Sequence, residues 1–468
     1  MTLRFVLNGH DVETEAISGS ASLLTWLRTR GLTGTKEGCA EGECGACAVA
    51  MLRTDHHGRR RFEAVNSCLV PLAAVNGRTV ITVEGVARAD GALHPVQEAL
   101  VRAGGSQCGY CTPGFVISLF CEYYRPGRGD YDPESISGNL CRCTGYRPIV
   151  DVARALPMPD PSDETLSSAA SAEPASGVTG ASFFRPTELE EAIRLLEASP
   201  EAVALAGGTD LMVVENSAAE RGANRAFVSL DAIPELARFE VTAHSIVVGA
   251  GVTLSELGER LSETEAAIPM FEQLLPLFSS RLIKNRATLG GNLGTASPIG
   301  DALPVLLALG ARVGLASAGA RREVPISEFF VGYRKTVLRR GELVTHVELP
   351  RPLPAVQRFY KVSKRVLDDI STVSAAFALD LTRDGRVARL CAAYGGVAAT
   401  PLRAAAVEER AAGLPWSRAT IEALLPLVDR IGTPLSDMRG SADYRRAMMR
   451  SLLEKFYFES ALSEQAAQ

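Results

Sequence analysis

Ten cysteines stand in the 468-residue chain; nine fall between Cys39 and Cys143, and Cys391 lies alone far downstream. In GCAEGECGAC, Cys39, Cys44 and Cys47 are spaced C-x4-C-x2-C, and Cys68 follows twenty-one positions after Cys47. Thiolates at that spacing, the last one remote, suit a [2Fe–2S] cluster wrapped in a tight loop. Gly38, Gly42 and Gly45 give the loop backbone freedom and let amide N–H groups approach the sulfurs. Structural zinc is the plainer alternative, but zinc sites usually come as short symmetric pairs near C-x2-C.

A second set, Cys108-x2-Cys111 and Cys141-x-Cys143, sits in SQCGYCTPG and GNLCRCTGYRP. Taken alone it could hold zinc. The ferredoxin-type spacing just upstream and the paired thiolates of C-x-C favour a second cluster. Cys121, inside the apolar run FVISLFCEYY, and Cys391, inside a strand pattern, read as core thiols. The six histidines form no H-E-x-x-H or similar pair, which argues against histidine-bound metal.

Elements must position these thiols. Residues 1–86 read as a small α+β domain, with strands over 3–8, 46–53 and 78–84, a helix over 21–30 and a turn at His56, His57 and Gly58. Residues 87–156 read as helical in four stretches: PVQEALVRAG, TPGFVISLFCEYY, PESISGNLC and PIVDVARAL. Residues 157–181 have the Pro, Ser, Ala and Gly composition of a linker. Strand and helix patterns alternate over 182–350, as in an α/β domain, and 351–468 reads as α+β.

Composition excludes other classes. Forty-nine basic against 54 acidic residues, without a long basic block, indicate no nucleic-acid groove. The longest apolar stretches are half the length of a membrane span. The amino terminus reaches an Asn-Gly turn and acidic residues before any signal-like core, so the expectation is a cytoplasmic protein.

Two glycine loops follow the linker. AVALAGGTDL ends a strand pattern in Gly207 and Gly208, and RATLGGNLGTASPIGD carries Gly290, Gly291, Asn292, Thr295, Ser297 and Asp301. Neither is a Walker A loop or a G-x-G-x-x-G fingerprint. Such loops let backbone amides approach a pyrophosphate, and two in one chain raise the odds. Two one-electron clusters are also most useful beside a flavin, which stores two electrons.

At this point the chain resembles a family. Residues 1–156 look like the two-cluster iron–sulfur module of the xanthine dehydrogenase family of molybdenum hydroxylases, with EGCAEGECGAC, SQCGYCTPG and NLCRCTGYRP matching throughout. The resemblance implies a multidomain α+β chain. A ferredoxin-like β-grasp domain would bind one [2Fe–2S] cluster at Cys39, Cys44, Cys47 and Cys68. A four-helix domain would bind a second at Cys108, Cys111, Cys141 and Cys143. Gln107 would reach a molybdopterin cofactor held on another domain.

Residues 182–350 resemble the family's FAD-binding domain, of the PCMH type, and 351–468 its CO dehydrogenase flavoprotein-like C-terminal domain. The resemblance implies that FAD is held by Ala204, Leu205, Ala206, Gly207, Gly208, Thr209, Asp210 and Leu211 and by Thr288, Leu289, Gly290, Gly291 and Asn292. Phe278, Asp301, Leu343 and Lys361 fall at further flavin positions. Without the resemblance, Phe278 reads as a core aromatic, Lys361 as a surface lysine and Leu343 as an inward strand residue. GYRKT at 332–336 and the run Asp368-Asp369-Ile370 also match, but no role emerges for Arg334, Lys335 or Asp369.

The family's large molybdopterin-binding part has no counterpart in these residues. The resemblance therefore implies an electron-transfer small subunit with no catalytic residue of its own, paired with a large molybdopterin subunit, two copies of each. Electrons would run from molybdenum through the second quartet's cluster, the first quartet's cluster and FAD to NAD, during oxidation of hypoxanthine and xanthine to urate. Two readings compete: the same role in a hydroxylase of an aldehyde or another N-heterocycle, and a zinc-stabilised binding module without redox function. NAD against dioxygen as acceptor stays open.

Overall fold

The Asn8-Gly9 pair, both at positive φ, folds β1 (Thr2–Leu7) back onto β2 (His10–Glu15). Alternation along β1 buries Leu3, Phe5 and Leu7. The chain is described by a computed structural model that covers every residue except 1, 16–20, 89–90, 161, 164, 166–178, 181, 220–224, 266 and 468. The expected linker over 157–181 lies largely outside the described residues. The fold is multidomain α+β. It gathers into two units, Met1–Pro234 with Ser279–Ala287, and Glu235–Phe278 with Thr288–Gln468.

In the first unit, β3 (Ala48–Thr54), β4 (Arg60–Asn66) and β5 (Thr79–Ile81) complete a sheet of order β2-β1-β5-β3-β4. The pairing of β1 with β5 is parallel and the others are antiparallel. The helix Leu23–Thr29, capped by Ser22, buries Leu23, Leu24, Trp26 and Leu27 in the same core, giving the ferredoxin-like β-grasp. The turn at His56–Gly58 joins β3 to β4, and β4 was not foreseen because RRFEAVN opens on charges. The strand expected over 78–84 stops at Ile81 and gives way to a 3-10 turn at Val83–Gly85.

Three α-helices follow, Pro95–Arg102, Thr112–Tyr123 and Arg147–Ala155, each with proline in its first turn, where the missing N–H costs little. PESISGNLC forms only a 3-10 turn, Pro133–Ile136, capped by Asp132. Ser137 and Asn139 turn to distant partners, the Arg281 amide and the Gly45 carbonyl, and Gly138 follows the turn. Next come β6 (Thr179–Gly180), β7 (Phe183–Phe184), β8 (Ala202–Leu205) and β9 (Ala226–Ser229), in the order β6-β7-β9-β8, with β7 and β8 both parallel to β9.

In the second unit, β10 (Phe239–Val241), β11 (Ser245–Gly249), β12 (Arg312–Ser317) and β13 (Ala320–Pro325) are followed by a short hairpin of β14 (Phe330–Gly332) and β15 (Lys335–Thr336), then by β16 (Leu343–Pro350). The sheet runs β10-β11-β16-β12-β13 and is antiparallel throughout. A further antiparallel sheet, β17 (Val356–Val362), β18 (Val373–Leu381), β19 (Val387–Gly395) and β20 (Leu402–Arg403), is covered by the helices Ala405–Ala411, Arg418–Val428 and Ala442–Ala467. Phe377 stacks on Phe456 in their shared core, ring centroids 5.0 Å apart. No helix among the described residues is long and apolar enough to cross a membrane.

Candidate cluster and flavin sites

The first quartet lies on the loop before β3 and the 3-10 turn Ser67–Leu69 that follows β4. Cys47 and Cys68 are buried and their sulfurs are 3.4 Å apart; Cys39 and Cys44 are half-buried. The Cys39 sulfur accepts the amide N–H groups of Glu41 and Cys44, each at 3.4 Å. The Cys44 thiol donates to Cys39, and with those amides it draws the Cys39 pKa down to about 5 against the opposing effect of burial. The same bond pushes Cys44 up. Asn66 ties the loop down by donating to the Gly42 carbonyl at 2.8 Å.

The second quartet flanks two helix starts. Cys108 and Cys143 are exposed, Cys111 is half-buried and Cys141 is buried. The Tyr110 amide and the Cys143 thiol lower Cys108, while burial and donation to Cys141 raise Cys111 to about 12. Tyr146, held at φ +66, accepts the Cys141 amide on its hydroxyl at 3.0 Å. Gln107 is exposed beside Cys108. In both quartets the thiols face one another in pairs and backbone amides donate to the sulfurs, an arrangement that fits iron–sulfur ligation. Cys121 is buried in the apolar core shared by the helices and strands β3 and β4, and burial raises its pKa. Cys391 is also a buried thiol, in β19.

Hydrogen bonds link the two sites: the Leu140 amide, adjacent to Cys141, donates to the Cys44 carbonyl at 3.0 Å, and Lys36 donates to the Gly109 carbonyl at 3.0 Å. Beside Leu140, Asn139 donates to the Gly45 carbonyl at 3.2 Å and accepts from Ser118 at 2.7 Å. The approach is tight. A Cβ on Gly45 would stand 2.1 Å from the Gly138 carbonyl oxygen, and one on Gly114 would stand 2.2 Å from that of Gly45.

In the first unit the loop Ala204–Leu211 leaves β8 and enters the helix Leu211–Ala219. At Gly207 the backbone runs so close to the segment 279–287 that a Cβ would sit 2.0 Å from the Arg286 carbonyl oxygen. Arg286 donates its Nε to the Gly207 carbonyl at 3.0 Å, and burial lowers its pKa to about 10. The same segment anchors both cluster domains. Arg281 and Lys284 pair with Asp132 and Glu134, and Asn285 donates to the Ala64 carbonyl at 2.9 Å. Nearby, Arg78 and Arg185 share Asp231; burial pushes that carboxyl up, but the two guanidinium groups outweigh it and hold it well below the usual range.

In the second unit Thr288 caps the helix Leu289–Thr295 by accepting the Gly291 amide at 2.9 Å, and the Gly290 amide donates to the Ala250 carbonyl at 3.0 Å. The Asn292 side-chain oxygen is buried without a hydrogen-bond partner. An orphaned acceptor in a glycine cradle fits a ligand rich in donors, as a flavin nucleotide is. Asp301 and Lys361 come together as a buried pair at 2.9 Å, so Lys361 is not the surface lysine its sequence position suggests. Ser371 donates to the other Asp301 oxygen, and Lys361 donates to the Leu277 carbonyl at 2.8 Å, next to half-buried Phe278. Leu343 is buried at the start of β16. Ser371 and Asn216, the latter treated below, belong to none of the motifs singled out in sequence, and Arg286, which opens the second glycine stretch, carries no sequence sign of its contact with Gly207.

Comparisons with known proteins agree with this layout. Residues 5–73 match the 2Fe-2S iron-sulfur cluster binding domain and 82–154 the [2Fe-2S] binding domain. Residues 178–352 match the FAD binding domain in molybdopterin dehydrogenase, and 358–460 the CO dehydrogenase flavoprotein C-terminal domain. Xanthine dehydrogenase 2 of Arabidopsis thaliana is 32% identical over 93% of this chain and 38% of its own length. Xanthine dehydrogenase of Emericella nidulans is 30% identical over 98% of this chain and 38% of its own length. The chain thus spans well under half of these relatives. A solved quinoline 2-oxidoreductase from Pseudomonas putida 86 superimposes with a TM-score of 0.55 at 26% identity, over 62% of this chain and 99% of that one. A solved Cu,Mo-CO dehydrogenase chain gives 0.54 at 26% identity, over 58% and 95%.

Two [2Fe–2S] domains followed by an FAD-binding domain define an electron-transferring oxidoreductase. The chain belongs to the molybdenum hydroxylases, of which it forms the iron–sulfur and FAD portion.

Proposed function

We propose that the chain is the electron-transfer subunit of a xanthine dehydrogenase, working in the cytoplasm with a separate molybdopterin subunit that binds hypoxanthine or xanthine. The observation that carries this is the pair of thiol quartets joined through the Leu140–Cys44 and Asn139–Gly45 hydrogen bonds, one with two exposed thiols and one with two buried ones, and the likeness to xanthine dehydrogenases supports the choice of substrate. When bound, the clusters relay single electrons and FAD collects them in pairs for NAD.

The chain's own residues set the direction. Exposed Cys108, Cys143 and Gln107 offer an entry face for the molybdopterin partner, and enclosed Cys47 and Cys68 keep water from the inner site. Ala204–Leu211 and Thr288–Asn292 would hold the FAD pyrophosphate through backbone amides. Phe278, Asp301, Leu343 and Lys361 would contact the remainder of the nucleotide. Two copies of each subunit are proposed from the family resemblance.

The test is purification with the protein encoded beside it, followed by metal, flavin and substrate assays. Expected are a brown complex with about four irons per chain of this type, two for each [2Fe–2S] cluster, molybdenum on the partner, and NAD-dependent urate formation. The chain alone should oxidise NADH with an artificial acceptor but leave purines untouched. A colourless zinc protein would overturn the reading. Activity on quinoline-like substrates instead would favour the second reading, a hydroxylase of another N-heterocycle, which the likeness to quinoline 2-oxidoreductase supports.

A further inference from the structure

The helix Leu211–Ala219 begins at the last residue of the first glycine loop, and Asn216 lies five residues along it. Its side-chain amide donates to two carbonyls at once, that of Ala40 at 2.8 Å and that of Cys68 at 3.0 Å. Ala40 follows Cys39 at φ +57, and Cys68 is itself a thiol of the first quartet. One side chain therefore pinches together the two ends of the first cysteine site. The loop also touches that site directly. Gly208, at φ +77, lies against the 3-10 turn that carries Cys68, and a Cβ there would be 3.4 Å from the Leu69 carbonyl oxygen. The Gly208 carbonyl accepts the Met212 amide at 2.9 Å and so starts the helix that presents Asn216.

We propose that Asn216 is a positioning residue that couples FAD binding to retention of the first cluster. This rests on the proposed assignment of Cys39, Cys44, Cys47 and Cys68 to a [2Fe–2S] cluster and of Ala204–Leu211 to FAD. The reason is linkage: a ligand that orders the loop also orders the helix start, and the helix holds the cluster loop through two donated hydrogen bonds. The coupling is reciprocal, so an intact first cluster must tighten FAD by the factor by which FAD raises the equilibrium affinity of the site for its cluster. Among the described residues no hydrogen bond joins the second quartet to this helix, so that quartet serves as an internal control.

The test uses the full chain with its partner, loaded and then depleted of FAD. Iron loss to a chelator is followed by the EPR signals of the two clusters, and FAD affinity by flavin fluorescence. In the parent protein, FAD removal should speed loss of the first cluster's signal about tenfold, the size of one to two hydrogen bonds, and leave the second unchanged. In Asn216→Ala the first cluster should be lost at one rate with or without FAD, and FAD should bind several-fold more weakly. Asn216→Asp, the same shape with a carboxylate facing two carbonyls, should be worse than Asn216→Ala; a packing role would leave it like the parent. Equal rates with and without FAD in the parent, or an unchanged coupling in Asn216→Ala, would overturn the proposal. Absence of either cofactor from the parent would instead sink the functional reading beneath it.

Discussion

The two thiol quartets share one unit and similar residue types, yet they differ in enclosure. Cys47 and Cys68 are buried beneath the β-grasp core, and their loop is tied by Asn66 and Asn216. Cys108 and Cys143 stand exposed at the starts of two helices. Burial in the first case comes from one face of the sheet, whose strands supply an apolar floor; in the second, the helices pack their apolar sides on one another and on the opposite face of that sheet, Phe120 against Phe62, and leave the thiol turns at the rim. The difference teaches where traffic can enter. An enclosed site exchanges electrons only with what the chain packs against it, and a rim site is open to something the chain lacks.

The strongest way to break the comparison is to strike the place where the sites meet. Gly45→Val would drive a side chain into the Gly138 carbonyl oxygen, 2.1 Å from even the first carbon, at a φ of +67 that valine resists. Both clusters should be lost together, with iron near zero by chemical analysis and a collapsed visible spectrum. Survival of either cluster at full occupancy would show that the loops can separate, contrary to the geometry.

Next in size is the loss of one cluster at a time. Cys47→Ser should remove one EPR signal and Cys108→Ser the other, and Cys121→Ser should remove neither, because Cys121 is a core thiol. Without its partner, the chain should surrender the exposed second cluster to chelator or oxidant before the enclosed first one. A reversed order would mean that solvent exposure of the thiols does not decide lability here.

A control outside both quartets comes from the buried pair Asp301–Lys361. Replacing Lys361 by Met leaves the Asp301 charge buried with only Ser371 beside it, a change that costs about 3–5 kcal/mol when a buried pair is broken. Thermal unfolding of the second unit should move down by several degrees and flavin content should fall, while both cluster signals persist. Asp301→Ala should behave alike, a larger effect than the loss of one polar contact would give, because both Asp301 oxygens are engaged.

How much of this was legible in sequence varies with the kind of interaction. The quartets were readable because ligand spacing is local and glycine-punctuated, and the core thiols because Cys121 sits in an apolar helix pattern. Strand β4 is not apparent in sequence since its first residues are charged, and PESISGNLC has a helix-like pattern but forms only a 3-10 turn capped by Asp132, with Ser137 and Asn139 bonded to partners far away in sequence. Lys361 reads as a surface residue because burial of a charge depends on a partner sixty positions away. The contacts of Asn216 and Arg286 leave no trace in sequence, although Arg286 opens the second glycine stretch: each side chain acts on backbone carbonyls distant in sequence, and carbonyls have no residue type.

The smallest expected effect separates the two cluster domains by pH. His94 is buried at the start of the helix Pro95–Arg102, where its Nδ1 accepts the Val96 amide at 3.2 Å and Gln97 returns a bond to the His94 amide at 3.0 Å. Its Nε2 faces the Tyr124 hydroxyl at 3.1 Å. An imidazole that accepts through Nδ1 must be neutral, and burial, with Arg88 assisting against Asp163, lowers its pKa to about 4. An unfolded histidine titrates near 6.5. Between those values the unfolded chain binds a proton that the folded domain refuses, so the stability His94 contributes is complete above about pH 6.5 and is lost as pH falls through about 4. Melting of the helical domain, followed by the second cluster's visible signal, should therefore drop by a few degrees between pH 7 and 5 more than melting of the β-grasp. His94→Asn keeps a capping oxygen without the titration and should flatten that slope. An unchanged slope in the variant would place the pH sensitivity in another group.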